Sequence, residues 1–170
     1  LNWDTNTPPG PADDVVLDVP AQLTVQLAGG DQHIRSLQCL ESLSLTGGTL
    51  RSDAGLYLAS DQTLTMAGSA TRFTATGPTS IDGTNVLVRD GAQATLPDTL
   101  NYRHASSASS QLRRLRAEGA GSLLDLGGVQ TILGGSHYNS RIEIAATAGG
   151  VVNLDAIRSI SDPNEGDLRE

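Results

Sequence analysis

The sequence predicts an all-β fold: a right-handed parallel β-helix, or solenoid, of about six three-strand coils of about 21 residues, with an N-terminal cap. Three observations predict it. Short lines of about seven residues recur, each opening on alternating apolar and polar residues and tending to close on Gly, Asp, Ser or Gln. The lines return to register after three. And the composition, with 19 glycines and only 3% aromatic residues, cannot fill a globular core with large rings, so the same small aliphatic side chain must recur from level to level.

The chain divides into a cap segment over 1–14, a solenoid over 15–160 and a polar tail, or the start of a next module, over 161–170. In the cap, Asn2-Trp3-Asp4 leads through Pro8-Pro9-Gly10-Pro11. A solenoid end exposes core and unpaired strand edge, and the single Trp on a rigid proline run suits a cover for the first coil. Strand segments follow at Val15–Val19, Leu23–Leu27 and Ile34–Leu37. The clearest lines are 42–48, 49–55, 56–62 and 63–69. The first and fourth match at a distance of 21 residues: Leu43 with Leu64, Leu45 with Met66, Gly47 with Gly68. Leu45 is therefore expected inside. Further copies lie at 85–88, 92–96, 100–102, 111–115, 122–126, 129–133, 141–144, 151–154 and 157–160.

One coil cannot bury its own inner face; stacked coils bury a continuous ladder and pair each backbone with the next. The handedness follows from the near-universal right-handed crossover between parallel strands. Two alternatives compete locally. Leu112 and Leu115 also sit at helical spacing, although the segment reads as a strand in which both leucines compete for the core. Asp82-Gly83 and Asp90-Gly91 are hairpin signals that an antiparallel sandwich would use, but near-constant strand spacing favours the solenoid. The runs 105–110 and 134–140 read as loops.

A formal net charge of -8 argues against nucleic acid, whose phosphates require a basic surface, and leaves cations such as calcium, or neutral glycans, as partners. No apolar run approaches the roughly 20 residues of a membrane-spanning helix, so no transmembrane segment is expected. Cys39 is the only cysteine and reads as a small buried hydrophobe, which excludes an internal disulfide. No signal peptide is visible, and both ends read as boundaries within a larger protein.

The Trp, the proline-glycine loop and Asp13-Asp14-Val15-Val16-Leu17-Asp18, with Leu-Ser-Leu-Thr-Gly-Gly-Thr-Leu at 43–50, resemble repeat segments of large exported bacterial surface proteins. These are solenoids of the autotransporter-passenger and filamentous-haemagglutinin-like kind. A weaker similarity is to G8-type extracellular β-helical domains. The resemblance implies an extracellular or cell-surface location. It also implies a structural, adhesive or carbohydrate-facing role, with adjacent modules of the same chain, surface glycans or host and neighbouring-cell proteins as partners.

The residue types that carry chemistry fall into four groups. Asp13, Asp14 and Asp18 are dense enough in carboxylate to supply calcium ligands, but strand alternation places Asp14, Val16 and Asp18 outside and Val15, Leu17 and Val19 inside, as an ordinary solvated face has it. Asp61 and Asp82 lie 21 residues apart with Arg103 a further 21 on, so all three can stack at one corner. That set resembles the acid-and-base grouping of β-helical polysaccharide lyases and hydrolases, while Asp is equally a favoured turn residue. His33, His104 and His137 have no metal-ligand spacing and read as surface or loop residues. Tyr102 and Tyr138, with His104 and His137 beside them, are candidates for stacking on a sugar ring. The reading favoured is a non-catalytic structural or adhesive solenoid segment with no obligatory cofactor; the alternative is a glycan-active β-helix.

Overall fold

A computed structural model describes residues 3–4, 6–20 and 23–163. Among the described residues it contains nineteen strands and no helix, so none is long and apolar enough to cross a membrane. Every strand pairing among the described residues is parallel.

The strands stack in three faces. The first holds β1 (Asp14–Leu17), β4 (Ser36–Cys39), β7 (Leu56–Leu58) and β10 (Thr79–Ser80), and continues through a bridge between Thr79 and Thr99 toward β13 (Asn101–Arg103), β16 (Thr131–Leu133) and β19 (Ser159–Ser161). The second is β2 (Thr24–Leu27), β5 (Ser42–Leu45), β8 (Thr63–Ala67), β11 (Asn85–Arg89), β14 (Leu112–Glu118) and β17 (Arg141–Thr147). The third is β3 (Asp31–Ile34), β6 (Thr49–Ser52), β9 (Arg72–Ala75), β12 (Gln93–Thr95), β15 (Leu123–Asp125) and β18 (Val151–Asn153). Reading one strand from each face in turn gives six coils, with β19 beginning another.

The predicted register is the observed one: Leu43 pairs with Leu64 and Leu45 with Met66. Inward positions form ladders. Leu43, Leu64, Val86 and Leu115 make one on the second face; Leu50, Phe73, Ala94 and Leu124 make one on the third. Burying each Leu or Val of such a ladder contributes about 1.5–3 kcal/mol. Cys39 sits in the core, where burial pushes its thiol pKa up. At the corners the coils approach so closely that a side chain is excluded: Gly48 has a φ of 71°, and a Cβ there would collide with the carbonyl oxygen of Gly30.

At the amino-terminal end Trp3 packs on the core and, with Pro9, lines a cavity floored by Val15, Leu17 and Leu43. Of the expected polar tail, residues 164–170 lie outside the described residues.

The structure departs from the sequence reading at several elements. Ile34–Leu37 is two strands, because the chain turns at Arg35 and changes face. Strands β9 and β10 lie between 69 and 85, where none was expected. Val19 lies beyond the end of β1 and is exposed; its N–H points to the carboxylate of Glu41 instead of taking a core position. Leu112 faces partly outward while Arg113 is buried, because β14 is in phase with Leu115 and Ala117 on the inner face.

Candidate functional site

The two loops between the first and second faces, 104–111 in one coil and 134–140 in the next, occupy the same corner and lie on one another. They lengthen the repeat: Leu43 meets Leu64 after 21 residues, whereas Leu112 meets Arg141 after 29. The Ser110 N–H donates to the carbonyl of Tyr138 at 2.8 Å, and the Ser136 N–H donates to Ser106 Oγ at 3.2 Å. His137 Nδ1 lies 3.2 Å from Ser106 Oγ, and Asn139 Nδ2 donates to Ser110 Oγ at 3.4 Å. The product is a double-layered crest with Tyr138 48% exposed and His137 in solvent.

Beneath the crest is a polar core. Arg113, its side chain only 5% exposed, reaches Asp61 across two coils, with Nη2 at 2.5 Å from Oδ1. Its Nε donates to the carbonyl of His104 at 3.1 Å. Asp61 also accepts from Gln111 Nε2 at 3.1 Å and Ser107 Oγ at 3.3 Å, while Gln111 Oε1 accepts the Ser107 and Ala108 amides. The intervening coil leaves room because it carries Gly83: a Cβ there would stand 2.8 Å from Ser60 Cβ and 3.0 Å from Ala105 Cβ.

His104 is fully buried. Its Nε2 lies 3.1 Å from the Gln111 carbonyl, and since a carbonyl only accepts, Nε2 carries the proton of the neutral ring. Nδ1 is buried and completes no hydrogen bond, and neither does Ser140 Oγ. The imidazole and the Ser140 Cβ both pack against Gly135, where an added Cβ would lie 3.1 Å from the ring and would collide with Ser140 Cβ.

The residues singled out from the sequence divide as follows. Asp61 and Asp82 do share the corner, and the Asp61 N–H donates to the carbonyl of Gly83. Their carboxylates do different work: Asp61 holds Arg113, and Asp82 Oδ1 accepts the backbone N–H of Arg103 at 2.8 Å. The arginine that meets an acid here is Arg113, within the 111–115 segment that the sequence marks only as a strand. Arg103 points from β13 into a shallow hollow beside Asp98 and Asn101. Tyr102, expected to face a ligand, is fully buried; its hydroxyl donates to the Thr84 carbonyl at 3.0 Å, and burial pushes the phenol pKa upward. Asn101 and Arg103 face out, so alternation turns Tyr102 in. His104, expected at the surface, is core. His137 and Tyr138 are on the crest as expected. His33 is exposed and pairs with Asp53 at 2.6 Å.

Asp13 Oδ2 accepts the Gly10 N–H at 2.8 Å, closing the proline loop. Asp14 pairs with Arg35 and accepts from the Ser36 hydroxyl, and these hydrogen bonds hold its carboxyl below the usual range. Asp18 is exposed beyond β1. Among the described residues no group of three or more His, Cys, Asp or Glu side chains is placed to hold a metal ion.

Comparison of the chain with protein-family models, with curated proteins and with solved structures finds no match.

Proposed function

We propose that the chain is a non-catalytic structural segment of a secreted or cell-surface protein whose corner crest is an adhesive surface for neutral glycans. The observation that carries this reading is the chemistry of the crest. Residues 105–110 and 134–140 contain no Asp, Glu or Arg, although the chain has a net charge of -8. What they present instead is hydroxyl and amide groups around an exposed tyrosine ring, on loops held by a rigid scaffold. A neutral sugar offers an apolar ring face to stack on an aromatic and hydroxyls to pair with such groups. Loops on a rigid framework are also where binding function concentrates.

The far end of the solenoid supports a place among adjacent modules. Ile160 pairs with the buried Ile132 yet is 67% exposed, and Ile144, paired with the buried Leu115, is exposed as well. These side chains continue the core ladders and suit a further stacked coil. The glycan-active alternative needs a carboxyl free to exchange a proton with substrate. Asp61 and Asp82 are engaged by Arg113 and by a backbone amide, which favours the structural reading.

The test is a glycan array, followed by titration calorimetry on the neutral oligosaccharides that bind. Tyr138→Ala is expected to lower affinity at least about tenfold, the loss of one stacking contact of about 1.4 kcal/mol, with melting unchanged. Release of reducing or unsaturated ends from any polysaccharide, lost in Asp82→Asn, would replace this reading with the catalytic one. Failure to bind any glycan would end its adhesive half.

A further inference from the structure

The buried histidine beneath the crest belongs to neither the ladder nor the exposed surface, and it joins both loops. His104 Nε2–H is held by Gln111 of the first loop, while the ring packs against Gly135 of the second. Its own carbonyl receives the Arg113 guanidinium. The charged groups that bear on it are Arg113 of β14 and Asp61 of the turn between β7 and β8; from the second loop it meets Gly135, and the backbone of Arg141 passes nearby. The one carboxylate is already paired with the one guanidinium.

Resting on the adhesive reading of the crest, we propose that His104 is an acid-operated latch: protonation of its buried ring unseats the two loops and releases the glycan that the crest holds. A proton on Nδ1 would create an N–H in a site where that atom completes no hydrogen bond. It would also add a second cation beside Arg113, whose carboxylate partner is already committed. Ser140, whose Oγ is the other unsatisfied group at the seam, has its Cβ against the same glycine. The cost of an unpaired buried charge is relieved by opening the loops to water.

The direction of the pH effect follows. Burial holds the His104 pKa below its ordinary value, with Arg113 acting the same way and Gln111, Arg141 and Asp61 opposing. The opened loop therefore binds a proton more readily than the closed one. Closure is complete above about pH 6.5 and weakens as pH falls toward the depressed value.

The experiment is amide hydrogen exchange on the whole chain, corrected for intrinsic rates, between pH 7.5 and 4.5. The reporters are the crest amides of Ser110 and Ser136, with Leu45 and Leu64 as ladder references. Crest protection is expected to fall by up to about tenfold per pH unit below 6.5 while ladder protection holds. His104→Gln is expected to abolish that fall, and His137→Gln to leave it intact. Should His104→Gln not fold, the His104 imidazole is titrated by NMR in the unaltered chain. A midpoint below the ordinary imidazole value of about 6.5, coinciding with loss of crest protection, supports the latch. Crest protection that is flat with pH, that falls only in step with the ladder, or that is flattened by His137→Gln overturns it. These measurements use no glycan, so they stand apart from failure of the adhesive reading. A neutral oligosaccharide identified on the array is then expected to lose affinity in parallel; undiminished affinity at pH 4.5 overturns release.

Discussion

Arg113 Nη2 lies 2.5 Å from Asp61 Oδ1, although the two residues are 52 apart in sequence and two coils apart in the stack. The pair ties the long strand β14 to the turn before β8 and sets the floor on which both crest loops rest. Arg113 is nearly sealed from water while Asp61 is 42% exposed, so the carboxylate is the partner that solvent can reach.

Removing the acid should therefore strand the arginine. Asp61→Asn suits the test because Asn tolerates the left-handed conformation seen at Asp61, with φ of 65°, so the change isolates charge. Loss of about 1–3 kcal/mol is expected in urea unfolding, below the usual figure for a fully buried pair because Asp61 is partly hydrated. Arg113→Met should cost less than Asp61→Asn, since it removes the buried charge along with the pair. A smaller loss for Asp61→Asn than for Arg113→Met would show that the pair is not the source.

Gly83 makes that reach possible. At φ of 69°, an alanine would adopt a conformation costing about 1–2 kcal/mol even in open space. Here its methyl would also press on Ser60 and Ala105. Gly83→Ala should thus destabilise by about 2 kcal/mol or more and lower the exchange protection of the Ser107 and Ala108 amides before that of the ladder. Equal loss throughout would place the wedge in the coil stack instead of the crest.

The stack itself was legible because its signal is repeated: Leu43 with Leu64, and Leu45 with Met66, state the same two inner positions in successive coils. The polar floor of the crest was not, because its members come from separate lines. Arg113 was hidden by two flanking leucines. Counting back in twos from Leu115 and Ala117 does place it inside, but only once the strand's extent is known. Tyr102 misled for the opposite reason. It is an aromatic near a loop, and only its parity with the exposed Asn101 and Arg103 shows that it turns inward. The histidines gave no warning, because burial of His104 depends on Gly135 arriving from the next coil.

The ladder makes a sharp prediction on adjacent residues. Leu45 is interior and Ser44 outward in the same strand. Leu45→Asp should abolish the cooperative transition by burying an unpaired charge, whereas Ser44→Asp should change stability by no more than about 0.5 kcal/mol. Leu64→Ala, in the next coil beside Leu43, should cost about 2–5 kcal/mol in urea unfolding. Circular dichroism of Leu45→Asp and Ser44→Asp side by side decides the register; similar spectra would overturn it.

The seam between the first two coils carries its own acid response. Asp14 is held below the usual carboxylate range by Ser36 and then Arg35, and Asp53 by His33 and then Arg51. Carboxyls depressed in this way bind a proton less readily folded than unfolded. Their contribution is present above the unfolded pKa, near pH 4, and is lost as pH falls through the folded values. Asp14→Asn should therefore flatten part of the decline in melting temperature between about pH 4 and 2 while leaving the crest response above pH 4.5 intact. The same engagement bears on calcium, since a carboxylate committed to Arg35 and Ser36 is a poor additional ligand. Millimolar calcium, or a chelator, should shift the melting temperature by less than about 1 °C. A rise of several degrees that disappears in Asp14→Asn would instead establish the outer face of β1 as a cation site.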